Sequence, residues 1–135
     1  PLVDFYNAIS LKHVVAVGAF DLEELESDIE LRHTRDGDHF IALDQEIPLK
    51  LEPGEVAYTS GSTVLTRHFM WRQSQLALVT PDSTRIFMVS EIPSLAGEPV
   101  AEAMRESMVV GLRDLFGLEC QSFLMTNDQP SIRWV

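Results

Sequence analysis

No apolar run in this chain is longer than Val14 to Phe20, and only residues 99–116 carry a sustained helical period. Between them lie short apolar passages, each closed by a turn signal: Asp36-Gly37, Pro53-Gly54, Gly61-Ser62 and Pro81-Asp82-Ser83. Runs this short are strand-sized and far below the length that crosses a bilayer. Helical and strand-like segments alternate without the regular strand–helix–strand rhythm of a parallel sheet. The pattern therefore predicts an α+β fold. With 135 residues, 45% of them hydrophobic, the chain is expected to form a single domain over residues 1–135. It begins at Pro1, already inside an apolar-patterned segment. It is therefore expected to be the C-terminal part of a longer chain, with an N-terminal segment missing.

In chain order, Leu2, Val3, Phe5, Tyr6, Ile9 and Leu11 give residues 2–12 a broad apolar stripe, a short helix interrupted by Asn7. Asp21-Leu22-Glu23-Glu24 matches a capping box, in which Glu24 reaches back to the cap. Ile29 to Thr34 alternates, and Asp36-Gly37 predicts a two-residue hairpin that pairs residue 33 with 40 and 34 with 39. His33 and His39 would then point to opposite faces, which excludes a metal pair. Residues 56–59, 64–70, 76–79 and 118–126 are predicted strands, and 85–92 is the most apolar one. Residues 63–70 and 85–92 are expected in one main sheet, packed by helix 99–116. Pro99 suits that helix's first position, and Gly117 its end.

The charge distribution points to a site. Acids make up 21 residues against 10 Lys and Arg, a formal charge of −11. Yet no acid lies between Glu55 and Asp82, and that gap holds Arg67, His68, Trp71, Arg72, Gln73 and Ser74. A cationic, hydrogen-bonding, aromatic cluster in an acidic protein suits an anionic or carbonyl-bearing ligand. The plainer reading is that Arg67 and Arg72 pair with surplus acids while Trp71 fills core. On an ideal strand Arg67 and Trp71 stand roughly 13 Å apart. Arg67 and Arg72 can then share one small pocket only if the strand bends or ends near Met70.

Several chemistries are excluded. There is no Gly-rich phosphate loop, no His-x-x-x-His, no Cys-x-x-Cys and no Gly-x-Ser-x-Gly. Neither a metal nor a cofactor is implied. The lone Cys120 rules out an internal disulfide, suits a reducing cytoplasm and reads as a structural thiol. The charge argues against broad clamping of nucleic acid.

Three stretches resemble a known family. Val3-Asp4-Phe5-Tyr6-Asn7 with Gly18-Ala19-Phe20-Asp21-Leu22-x-x-Leu25, and Asp28-Ile29-x-Leu31-Arg32 after it, resemble the B3/B4 domain of the bacterial phenylalanyl-tRNA synthetase beta subunit. Thr66-Arg67-His68-Phe69-x-Trp71-Arg72-Gln73-Ser74, followed by Thr80-Pro81-Asp82-Ser83-Thr84, is similar to the free-standing B3/B4 proteins. The resemblance implies a mixed sheet packed by one long C-terminal helix and shorter N-terminal helices. It also implies an editing site that hydrolyses mischarged aminoacyl-tRNA.

Asn7 matches an asparagine of the synthetase's pocket-lining helix. Gly18 stands where the synthetase has a pocket histidine, and Trp71, Arg72 and Gln73 stand in the region of its Gly-Gly-Glu segment. Gly18 is expected to have a positive φ or to lie against neighbouring backbone.

Three functions stay open. One is a trans-editing hydrolase, with Arg72, Gln73 and His68 as catalytic candidates. Another is a non-catalytic module for an amino acid, a nucleotide or an RNA 3′ end. The third is half of a larger fold, with the cluster buried at its joint with a partner protein or a missing N-terminal segment. The substrate-binding candidates are Asn7, Arg67, Trp71, Arg72, Gln73 and Ser74, in a concave pocket where Arg72 has a fixed partner. The expected partner is the 3′ end of tRNA or aminoacyl-tRNA, with neither DNA nor a membrane.

Overall fold

Leu2–His13 forms the first helix, α1, and buries Phe5. It stops where Val14 enters the left-handed region at φ 56°. The computed structural model describes residues 1–134. It divides into two compact units, one made of residues 1–16 and the chain from Ser90 onward, the other of Val17–Val89.

In the first unit α1 lies against α2, Gly97–Phe116, which buries Ala101, Met104 and Leu112. The Phe5 ring meets Phe116 edge-on at 5.5 Å. A Cβ on Gly111 would lie 2.3 Å from the Phe5 ring, so the absent side chain is what lets the two helices approach. His13 Nε2 and Ser107 Oγ, 2.9 Å apart, tie the other end of the contact. Gly117 closes α2 at φ 66°, with its N–H bonded to the carbonyls of Arg113 and Leu112. Pro99 is the third helical residue rather than the first, still within the turn whose N–H groups lack helical acceptors. The strand expected over 118–126 does not form. Beyond Gly117 the described residues hold only an isolated bridge between Thr126 and Gln129. Cys120 is exposed on this segment rather than a buried structural thiol.

In the second unit a six-stranded mixed sheet is built from β2 (Ile29–His33), β3 (His39–Phe40), β4 (Leu49–Lys50), β5 (Val56–Ser60), β6 (Thr63–Arg67) and β7 (Arg72–Gln73). The order is β2-β5-β6-β3-β4, with β7 also on β6. Only β3 and β6 run parallel. β5 and β6 are buried on both faces. Ala57 and Val64 pack with Phe40, Ala42 and Leu51, while Tyr58 and Leu65 pack with Phe20 and Ala77. That is why apolar residues stand side by side in both strands, Val56-Ala57-Tyr58 and Val64-Leu65, instead of alternating with polar ones.

The strand 85–92 is realised as β8, Ile86–Glu91, but not in this sheet. It pairs with β1, Ala16–Asp21, in a separate two-stranded sheet. Residues 76–79 form no strand: Ala77 is left-handed at φ 59°, and Glu24 accepts its N–H at 2.7 Å. Glu24 therefore does not reach back to its cap. Asp21 alone caps the short 3-10 helix Leu22–Glu24, accepting from Glu23 N–H at 2.9 Å.

Asp36-Gly37 is a turn, with Gly37 at φ 91°, but it does not close a hairpin. β2 pairs with β5 instead. The reason is the buried carboxylate of Asp38. It takes Arg32 Nη1 and Nη2 at 2.6 and 3.0 Å and Arg35 N–H at 2.8 Å, so the chain wraps around it instead of folding straight back. No cluster of His, Cys, Asp and Glu able to hold a metal occurs among the described residues. No described helix is long and apolar enough to cross a membrane.

Gly111→Ala tests the helix contact. Alanine ordinarily stabilises a helix interior, yet here the added methyl overlaps a wedged ring. Equilibrium denaturation should show a loss of about 1–3 kcal/mol; unchanged or increased stability would show that the ring yields freely.

Candidate functional site

The acid-free segment folds into a hairpin. β6 ends at Arg67, and β7 returns antiparallel, so that Arg67 faces Arg72 and Thr66 faces Gln73. The strand thus ends early enough to bring the two arginines together. Two like charges directly opposite each other are unfavourable, and the conflict is resolved on one side only. Arg67 donates from Nε and Nη2 to the Glu55 carboxylate at 3.1 and 2.8 Å. Its guanidinium also lies 5.9 Å from the centre of the Phe40 ring. Arg72 is exposed and makes no ion pair or side-chain hydrogen bond among the described residues. The fixed partner expected for it is not there.

The loop that joins the strands is strained. His68 and Phe69 are both left-handed, at φ 49° and 69°, a region that costs non-glycine residues energy and that a bulky residue rarely enters. The surroundings hold them there. Glu55 Oε1 accepts His68 N–H at 2.8 Å, and Val56 C=O accepts Phe69 N–H at 2.8 Å. The Thr66 hydroxyl donates to Phe69 C=O. One carboxylate therefore fixes both the guanidinium and the turn beside it. The Arg67 hydrogen bonds hold the Glu55 carboxyl below its usual pKa, with His68 N–H adding to this and burial opposing.

This turn carries Trp71 outward. The indole is 78% exposed, so it fills no core. It lies beside the His68 ring, with centroids 5.8 Å apart and planes at 51°. Phe69 is 37% exposed. Behind the loop, Met70 reaches back toward β1, where its Cε occupies the space a Cβ on Gly18 would fill, at 2.4 Å. Gly18 has no positive φ, and its close neighbour is a side chain, not backbone. The glycine makes room for the thioether.

Gln73 and Ser74 are committed to protein partners. Gln73 Nε2 donates to Ala19 C=O at 3.2 Å. Ser74 is fully buried; its hydroxyl donates to Ile41 C=O at 3.0 Å and accepts from Leu76 N–H at 3.1 Å. Asn7 is exposed on α1, in the other unit. Within its own unit the hairpin offers an exposed surface of Trp71, His68 and Arg72. An open depression of about 530 Å³ lies elsewhere, lined by residues 45–49. Glu55 was missed by sequence reasoning. Its only signal was its place as the last acid before the gap.

The B3/4 domain family model matches residues 1–104. The chain belongs to the B3/4 domain family. Its fold is similar to that of a crystal structure of an N-terminal fragment of the phenylalanyl-tRNA synthetase beta-subunit from Pyrococcus horikoshii, with a TM-score of 0.55 and 14% identity. That match covers 85% of this chain and 50% of the other, so the chain spans half the length of that fragment. No curated protein gives a significant match. This B3/4 domain thus shares the synthetase fragment's fold, while the groups at its hairpin must be judged on their own geometry.

Glu55→Gln tests the clamp. Because the folded carboxyl has a lowered pKa, its contribution is present above the unfolded value of about 4.3 and is lost as pH falls through the folded one. The variant should lose about 1–3 kcal/mol at pH 7 and show a shallower fall in stability below pH ~4. Arg72→Ala should stay within about 0.5 kcal/mol of wild type. Equal losses in both variants would contradict the asymmetry between the two arginines.

Proposed function

We propose that this B3/4 domain is a binding module for the 3′ end of an RNA, tRNA in the first instance. Trp71 acts as the stacking surface and Arg72 as the phosphate contact. The observation that carries this reading is the 78% exposure of Trp71 next to an arginine without an ion partner among the described residues. An indole held on a fixed turn offers a π-face to any unstacked base, and a nearby guanidinium meets the backbone. The likeness to a fragment of a tRNA synthetase subunit supports tRNA as the RNA concerned. Such a role implies a cytoplasmic setting.

Turnover is less well supported. Ester hydrolysis needs donors aimed at a developing oxyanion in a water-excluded site. Of the catalytic candidates, Gln73 spends its amide on Ala19 C=O, and His68 and Arg72 are exposed to water. Arg67 and Ser74 are held by protein partners.

With ten basic residues against 21 acidic ones, binding should be weak for bulk RNA and localised to the terminus. Fluorescence anisotropy with a short single-stranded oligoribonucleotide and with tRNA trimmed or intact at its 3′ end tests this. Trp71→Ala should weaken binding by about 1–3 kcal/mol, while Trp71→Phe keeps most of it. Arg72→Ala should reduce the slope of log affinity against log salt by about one phosphate. Binding that ignores Trp71, or is unchanged by trimming, would overturn the reading. So would acceleration of the deacylation of a mischarged tRNA, which would restore the hydrolase.

A further inference from the structure

We infer that Met70 is a modification site, an oxidisable latch whose conversion to the sulfoxide by a peroxide releases the hairpin that carries Trp71 and Arg72. The four residues that join β6 to β7 divide unequally. His68, Phe69 and Trp71 are exposed. Met70 alone turns inward, where it packs against the buried cluster of Phe20, Tyr58, Leu65 and Ala77. Its methyl group fills the space that Gly18 leaves on β1.

The next residue of β1 supplies a second attachment, since Ala19 C=O accepts from Gln73 Nε2 at 3.2 Å. Met70 and Gln73 thus fasten the hairpin to consecutive residues of one strand. Glu55 and Val56 hold the backbone of the turn through His68 and Phe69, both of which are left-handed. Such a conformation persists only while its surroundings over-determine it. Removing the Met70 anchor therefore leaves a strained turn free to relax.

Methionine suits a latch of this kind. Its unbranched thioether fits a narrow slot, and leucine of similar volume can replace it there. A peroxide transfers its terminal oxygen to the sulfur. The O–O bond breaks, an S–O bond forms, the sulfur is oxidised, and the reduced peroxide leaves as water or an alcohol. The sulfoxide is polar, and Phe20, Leu65 and Ala77 carry no side-chain donor for its oxygen. Burying it unsatisfied is unfavourable. Met70 is only partly buried, which leaves it open to a small oxidant, whereas Met104 is 3% exposed. For RNA the consequence rests on the role proposed above. A released hairpin no longer fixes the indole, and binding must then order it.

The test treats the whole chain with hydrogen peroxide, locates sulfoxides by peptide mass spectrometry and follows amide hydrogen exchange over residues 68–74. Met125, 48% exposed on the C-terminal segment, is the internal control for oxidation. Sulfoxide at Met70 should speed exchange in the hairpin about tenfold while β5 stays protected. It should also lower affinity for a short oligoribonucleotide about fivefold. A methionine sulfoxide reductase should restore both. Met70→Leu should exchange and bind like untreated wild type and ignore peroxide, although its other methionines are oxidised. Gly18→Ala puts a Cβ where the Met70 methyl lies, and should speed hairpin exchange without any oxidant. Should Met70→Leu fail to fold, the wild type and Gly18→Ala decide alone. A Met70 that stays unoxidised when Met125 is fully converted overturns the inference. So does hairpin exchange unchanged by the sulfoxide, loss of protection throughout β5, or a peroxide response that persists in Met70→Leu. If exchange responds as stated but no RNA is bound even before treatment, the latch stands and the role proposed for Trp71 fails.

Discussion

The carboxylate of Glu55 is the point on which the hairpin depends. It neutralises Arg67, which would otherwise face Arg72 as a like charge, and it holds the His68 N–H in a backbone conformation that histidine does not favour. Both partners are about four-fifths buried, where an ion pair matters more through what its loss would leave exposed than through its own strength. A strained turn persists only where its neighbours over-determine it. Glu55, Val56 and Thr66 do so here from two adjoining strands. The indole that follows this turn lies in solvent instead of in the core.

The same economy of partners runs through the second unit. Arg32 and Asp38 form the other largely buried pair, which diverts the chain after β2 and leaves one side of β2 unpaired by this sheet. Two ion pairs thus shape this unit after β2 and after β6. One fixes the turn that leaves the Trp71 and Arg72 side chains in solvent, and the other diverts the chain away from β2. The central strands β5 and β6 are themselves held by apolar burial on both faces.

Local patterns in the sequence were a good guide to local structure. The period over 99–116, Gly117 as its end, the Pro53-Gly54 turn and the strands at 29–33, 56–60 and 86–91 all follow from neighbouring residues alone. What failed was pairing. Asp36-Gly37 signals a turn, but no local rule reveals that Asp38 is buried against Arg32. Residues 85–92 read as the most apolar strand, yet apolarity cannot say which sheet a strand joins. At the site, the acid-free gap drew attention to the right hairpin. It could not separate Arg67, Gln73 and Ser74, which hold the protein together, from Trp71 and Arg72, which do not. That distinction rests on Glu55, Ala19 and Ile41, remote in sequence and supplied by the fold.

The proposed role stands or falls with Trp71 itself, and the indole can report on its own environment. In a Trp134→Phe background Trp71 is the sole tryptophan. Its emission should begin at the wavelength of a solvated indole and be quenched saturably by a short oligoribonucleotide with a free 3′ end. Stacking of a base on the ring is what would quench it. Emission already blue-shifted in the free protein, or unmoved by the oligonucleotide while binding is seen by another probe, would contradict the account.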